Sequence, residues 1–410
     1  MNTSVRPRCK RLLPVVVGLA MSLTLAGCGG SAAGGGEQGG AGTVNLGFIN
    51  PMSGPYATLG VDQKNALDLY LKQHDNKLGG REVNLVAVDE GAGPTTGLPA
   101  ARKLIQQERV DVATGVVSSA TAAAVLPLFE SAKTPIVFTQ GYPYADPNPS
   151  PSPYSWTVGS TFPPYATTMA QHMSNVIDKS NSVYFLGADY NVGHELVDQT
   201  VKSFTEQGGE VAGTAFPPYG TTLDYQPYLA KVKESGASAV YAFFAGSDAV
   251  RFVQQYAEFG LQATTPLYST TSLTAGSALD AQGKAAVGTV TAGFYDQALP
   301  GTANQEFIAA YTQAYGSAPD VFSVQQYDSM TVLDRALAKI DGTLSGDKIT
   351  AALKTVGDLE TPRGTWTLDP VLQSPIQKFH IFEVVAAGDG VKASQISSTG
   401  PLDPISGEPR

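Results

Sequence analysis

Over 410 residues the chain carries 26 Lys and Arg against 36 Asp and Glu, a formal net charge of −10, and this acidic balance argues against nucleic acid as a partner. A content of 42% hydrophobic residues over this length is enough for two domains with ordinary apolar cores. Two cysteines are too few for a disulfide-built scaffold.

The first element in chain order is a leader. Arg6, Arg8, Lys10 and Arg11 precede an apolar run from Leu12 to Ala26, interrupted by Pro14 and Gly18. This is the plan of a secretory signal peptide, and it is too short and one-sided for a membrane span. Leu25-Ala26-Gly27-Cys28 resembles the bacterial lipobox, in which cleavage leaves the cysteine as a lipid-carrying N-terminus. Two or more acyl chains on one residue suffice for stable anchoring. The alternative, a buried or reactive cysteine, sits poorly with the glycines that follow it. Residues 1–27 are therefore expected to be the signal, and residues 28–42 the lipidated Cys28 with a flexible Gly-rich tether. Loss of four basic and no acidic residues takes the formal charge from −10 to −14, and loss of Cys9 leaves no disulfide and no cysteine for metal or nucleophilic chemistry. The protein is expected on the extracytoplasmic face of the cell membrane, held by the lipid.

From Val44 onward, short apolar runs alternate with helical-period segments, the grammar of an α/β chain. "TVNLGFI" is the first strand, 63–76 the first helix, "VNLVAVD" the second strand, "AARKLIQQ" the second helix and "VDVATGVV" the third strand. A helix over about 121–132 and the strand "TPIVFT" follow. "GYPYADPNPSPSPYSW" is too rich in proline for a regular element and reads as a long loop. The pattern then restarts with strands "SVYFLG", "GEVAGTAF", "ASAVYAFF" and "TPLYST". "KTPIVFT" and "TTPLYST" take equivalent fourth-strand places, so the chain is two similarly built lobes. The amphipathic helix "DVFSVQQYDSMTVLDRALAKI" and the late strands "GTWTLD" and "FHIFEVV" return to either lobe, which makes a multi-stranded hinge.

In open parallel sheets ligands bind beyond the C-terminal ends of strands, where helix N-termini present free N–H groups. Ser118 and Ser119 occupy such a place. Ser119 is suited to cap the next helix and equally to receive a carboxylate, and the two readings are compatible. Gly246-Ser247-Asp248 is the corresponding cap of the second lobe. The turn "NPMSGPYATLG" leaves Tyr56 able to project into the cleft, and Gln140-Gly141-Tyr142 ends the fourth strand on the same rim. Aromatic residues there would cover an apolar or cyclic ligand, with plain surface packing as the alternative. Enzymatic motifs are missing: no phosphate-binding glycine loop, nucleophile elbow or HExxH occurs. The four histidines have no ligand-like spacing, and His194 reads as a surface residue. Asp89 and Glu90 are adjacent on a strand and point to opposite faces, so they do not share a proton site. No metal or cofactor is expected.

Taken together, "GFINPMSGPYATLG", "NKLGGREVNLVAVDE", "ARKLIQQERVDVATGVVSSA", "GADYNVG", "LDYQPYLAKVKESGASAVYAFF" and "QQYDSMTVLDRAL" resemble solute-binding proteins of ABC transporters of the branched-chain amino acid type. The resemblance covers Thr43 to about Val385. It implies a periplasmic-binding-protein type I fold: two Rossmann-like α/β lobes, a ligand cleft and a three-stranded hinge. Lobe 1 would comprise 43–160 plus about 298–355, lobe 2 would comprise 161–297 plus about 356–390, and 391–410 would be a tail. It further implies that Ser119 receives a ligand carboxylate and that Tyr142 stands near a head-group position. Val192 takes the place where a tyrosine is frequent, and Thr271 the place of the acid that meets a ligand ammonium. With no carboxylate in that stretch, Asp296 or Glu90 must substitute, or the ligand is an amide, a carboxylate without an amine, or an aromatic acid. The expected protein is a monomer that captures a small polar solute by lobe closure and delivers it to an ABC permease in the membrane. A sensory lipoprotein and a secreted hydrolase using Asp89 or Glu90 are the alternatives.

Overall fold

The computed structural model describes residues 42–144, 148–178 and 180–410, so the signal peptide, Cys28 and nearly all of the tether lie outside it. β1 (Thr43–Asn50) is buried along almost its whole length, as a strand covered on both faces must be. α1 (Ala57–Gln73) follows it, then the short β2 (Lys77–Leu78) and β3 (Arg81–Asp89), which runs parallel to β1. α2 (Pro94–Arg102) continues into a π-helical stretch at Lys103–Glu108 and leads to β4 (Val112–Gly115), α3 (Ser119–Ala132) and β5 (Ile136–Phe138). The helix expected from residue 63 begins at Ala57 instead. Gly60 allows this, because a Cβ there would lie 1.8 Å from the Pro51 carbonyl oxygen.

The proline-rich stretch is not a loop throughout, since β6 (Ser155–Thr157) extends the sheet beside β5. Trp156 accounts for this: its prolines precede it, and its ring is buried at 1% exposure. The first sheet therefore has the order β2-β3-β1-β4-β5-β6.

The second sheet is built from α4 (Phe162–Val176), β7 (Ser182–Gly187), α5 (Asn191–Glu206), β8 (Glu210–Ala215), α6 (Gln226–Ser235), β9 (Ala239–Phe243), α7 (Gly246–Glu258), β10 (Leu267–Thr270), α8 (Ser277–Gln282) and β11 (Val290–Gly293). The chain then returns as α9 (Thr302–Tyr315), α10 (Val321–Leu337) and α11 (Gly346–Leu353). α10 packs on α1, and its Ser329 hydroxyl meets that of Thr114 in β4 at 2.6 Å.

β12 (Gly357–Thr361) and β13 (Gly364–Leu368) form a hairpin that joins β14 (Pro375–Ala387), itself antiparallel to β11. The sheet order is β12-β13-β14-β11-β10-β9-β7-β8, with β15 (Gly390–Leu402) on β14. The hairpin hydrogen-bonds into the second sheet while Leu359, Trp366 and Leu368 pack with Val44, Leu46 and Phe48 of β1. The expected division near 355 falls between α11 and this hairpin. The stretch expected as a tail contains β15, and the end of the chain is pinned by an Arg410–Asp369 ion pair of 2.9 Å. At the crossings, Arg363 pairs with Asp328 at 2.7 Å and lies between the rings of Phe294 and Trp366. The two mixed α/β lobes and the repeated passage between them agree with the fold class expected from the sequence.

Candidate functional site

Between the two sheets lies a narrow cavity of about 40 Å³. Helices begin where strands end, and several of those beginnings converge on it. Tyr56 is the N-cap of α1 and Ser119 opens α3. Phe162 opens α4, Tyr190 is the N-cap of α5, Ala245 is the N-cap of α7, and Phe322 lies in the first turn of α10. The starts of α1, α4, α5 and α7 have no side-chain cap, and their partial positive charge favours an anion, whereas α3 and α10 are capped by Ser118 and Asp320.

The walls are aromatic, with Tyr165 and Phe243 joining Tyr56, Phe162, Tyr190 and Phe322. Leu59, Val117, Val192 and Leu196 add aliphatic surface. Polar groups come from Ser119, Gln140, Ser160, Thr270 and Ser272, and no Asp, Glu, Lys, Arg or His is among the described lining residues. Thr270 Oγ1 and Gln140 Oε1 are buried without a hydrogen-bond partner. Across the cleft, the Tyr56 hydroxyl donates to the Tyr190 hydroxyl at 3.0 Å, and Tyr190 stacks on Tyr219 with centroids 4.5 Å apart.

Ser118 and Ser119 divide the work expected of Ser119 alone. Ser118 is the N-cap of α3, its hydroxyl accepting from the Thr121 N–H at 3.4 Å, and it does not line the cavity. Ser119 follows it as the first helical residue. Its Oγ accepts from the Tyr142 N–H at 3.0 Å, so its own hydrogen is left to donate into the cleft. Tyr142 itself is turned away: its ring packs against Tyr144 and Phe162, and its hydroxyl accepts from the Asn148 N–H. Its contribution is to hold Ser119. The capping expected of Gly246-Ser247-Asp248 is also corrected, since Ala245 is the N-cap and has no side-chain cap bond. Asp248 accepts instead from the Gly220 N–H at 2.8 Å and from Arg251.

Of the residues considered for a ligand ammonium, none faces this cavity. Glu90 is fully buried behind the Ser118 turn, where it accepts from the Val117 and Ser118 N–H groups at 2.8 and 2.7 Å. Burial pushes its carboxyl up to about 7 against the opposing effect of those amides. Asp89 is spent on its own turn, accepting from the Met52 and Gly91 N–H groups and from the Ser53 hydroxyl, so it shares no site with Glu90. Thr271 and Asp296 line a neighbouring cavity, while Thr270 at the end of β10 and Ser272 in the 3-10 turn that follows it, Thr271–Thr274, face the cleft. His194 pairs with Asp189 at 2.8 Å and stacks on Phe216, outside the lining.

Sequence reasoning missed Ser160, Tyr165, Tyr190, Phe243, Thr270 and Ser272. Tyr190 and the 270–272 run lie in motifs that were visible in the sequence, "GADYNVG" and "YSTTSL". Ser160 and Tyr165 follow the proline-rich stretch and carry no local signal.

Comparisons with known proteins bear on this geometry. A Brucella melitensis Leu/Ile/Val-binding protein homolog is 29% identical over 355 residues, covering 85% of this chain and 89% of its own. A solute-binding protein of an ABC transporter from Rhodopseudomonas palustris, in complex with 3,4-dihydroxybenzoic acid, superposes with a TM-score of 0.82 at 27% identity, over 88% of this chain and 98% of that one. A second R. palustris solute-binding protein, in complex with benzoate, gives 0.81 at 27% identity over 89% and 99%. A leucine-binding protein from Thermotoga maritima shares the fold at a TM-score of 0.76 and 21% identity, over 88% and 99%. The family described as periplasmic binding protein matches residues 43–389. With its two lobes, interlobe cavity and relatives that are solute-binding proteins rather than enzymes, the chain belongs to the periplasmic binding protein family, of the leucine-binding-protein-like type I.

Proposed function

We propose that this chain is the extracytoplasmic solute-binding component of an ABC importer and that its ligand is a small aromatic carboxylate lacking an amine. The observation that carries the ligand class is the composition of the cavity wall: aromatic rings and helix N-termini with no charged side chain. An α-ammonium placed there would be buried without an anionic partner, at a cost of several kcal/mol. A carboxylate has the donor hydroxyl of Ser119 and the positive end of α3, and a ring has the tyrosine and phenylalanine faces. The R. palustris proteins in complex with benzoates, at 27% identity, support the same reading.

In the mechanism, ligand bridges the lobes, and only contacts made better in the closed state shift the equilibrium towards it. Contacts across the cleft such as Tyr56 to Tyr190 belong to that state. The closed pair of lobe faces is then what a membrane permease recognises. Cys28 anchors the monomer through lipid and the 29–42 tether. No helix among the described residues is long and apolar enough to cross a membrane.

The test is a thermal-shift screen followed by calorimetric titration with benzoate, 4-hydroxybenzoate, benzamide and leucine. A ligand that binds only the folded state raises the melting temperature by mass action. Benzoates are expected to stabilise strongly, benzamide weakly and leucine not at all. Stabilisation by leucine with none by benzoates would overturn the ligand class while leaving the receptor role standing.

A further inference from the structure

Beside the ligand cavity, beyond the end of β10 at Thr270, lies a second one of about 70 Å³. Asp62, Asp280, Asp296 and Asp320 line it, and no described Lys, Arg or His does. None of the four has an ion-pair partner among the described residues. Asp320 is buried, Asp62 and Asp296 are half-buried and Asp280 is exposed; a buried carboxylate is ordinarily paired or bound to a cation, because an isolated buried charge is costly.

Two buried polar atoms in this wall have no partner. Asp320 is 6% exposed and caps α10, with its Oδ1 accepting from the Ser323 N–H and hydroxyl, while its Oδ2 accepts from nothing. Thr271 is 4% exposed, and its Oγ1 is equally without a partner. Asp62 accepts a long bond of 3.3 Å from the Tyr311 hydroxyl, and Asp296 accepts from the Ala298 N–H at 2.8 Å. Burial, reinforced by the neighbouring Asp320, pushes Asp62 up to about 8.

The groups come from both lobes: Asp62 from α1, Thr271 and Asp296 from the segments that follow β10 and β11, and Asp320 from the start of the returning α10. We propose that this cavity is a second binding site, one that takes the ammonium group of a small protonated amine between Asp62 and Asp320. No set of three or more His, Cys, Asp or Glu among the described residues is placed to hold a metal ion. An ammonium needs only separate charge-assisted N–H···O bonds of about 2.7–2.9 Å, which suits acceptors spread around a wall. The site uses none of the residues that line the aromatic cavity, so it stands or falls separately from the benzoate reading.

The experiment measures melting of the purified protein at fixed pH 7.5 and ionic strength, titrated with methylammonium, tetramethylammonium or calcium chloride. Methylammonium is expected to raise the melting temperature saturably, and tetramethylammonium, which has no N–H, is not. The rise should vanish in Asp62→Asn and in Asp320→Asn. Asn caps helices as well as Asp does, so the second variant retains α10, which a cooperative melt verifies. No rise with methylammonium, a rise unchanged in both variants, or stabilisation by calcium in place of methylammonium each overturns the proposal.

Discussion

Ser118 and Ser119 are neighbours with separable duties, and that separation is measurable. Ser118→Ala removes the hydroxyl that caps α3 and is expected to cost about 1 kcal/mol of stability while leaving ligand affinity nearly unchanged. Ser119→Ala should do the reverse, weakening ligand binding by about 1–3 kcal/mol if a charged acceptor loses its donor, with a smaller change in melting. Denaturation midpoints and calorimetric titration on the two variants decide it. If Ser119→Ala lost stability and left affinity intact, its hydroxyl would be only a brace for the Tyr142 amide. The pair also shows a limit of local reading. Two adjacent serines after a strand announce a helix start, but which one caps and which one faces the cleft depends on where the backbone turns extended, and that occurs at Ser118, with ψ of 122°.

At the scale of an element, α5 is positioned by the absence of a side chain. A Cβ on Gly193 would lie 1.9 Å from the Ala188 carbonyl oxygen, so α5 rests directly on the end of β7. Gly60 of α1 makes the same approach to Pro51 in the other lobe. Gly193→Ala must push α5 outward and with it Tyr190 and Val192, which line the cavity. Overpacking of this kind costs about 1–3 kcal/mol, and ligand affinity should fall along with the melting temperature. An alanine variant with normal affinity would show that the cleft wall tolerates a shift of its helix. Both glycines were visible in the motifs "GPYATLG" and "YNVG", but only the contact with the preceding turn explains them.

For the whole molecule, buried carboxyls set the pH dependence of stability. Glu90 is raised from 4.5 to about 7 and Asp62 from 3.8 to about 8, chiefly by burial, so the folded state holds protons that the unfolded chain has released. Their contribution is present at low pH and is lost as pH rises, through 4.5–7 for Glu90 and 3.8–8 for Asp62. His380 acts in the opposite sense: burial lowers it from 6.5 to about 4, so its contribution is lost as pH falls through that window. Above 6.5 only the carboxyls remain in play. The melting temperature in amine-free buffer is therefore expected to fall steadily from pH 6.5 to 8.5, and a flat or rising profile would show that these groups ionise freely in the folded state.

The sequence by itself determined the alternation of strands and helices, the doubling into two lobes and the place of Ser119, because periodicity, turn residues and helix-start chemistry are local. It also showed that the stretch "YSTTSL" around Thr271 carries no carboxylate. Only the tertiary structure decided that Thr270 and Ser272 face the cleft while Thr271 and Asp296 face another cavity, since the strand gives way to a 3-10 turn at Thr271. It alone turned Tyr142 away, sent Glu90 behind the Ser118 turn, and drew residues as distant as Tyr56, Tyr190 and Phe322 into one wall. Those outcomes depend on how two sheets and the starts of their helices meet, a long-range packing question that no local pattern encodes.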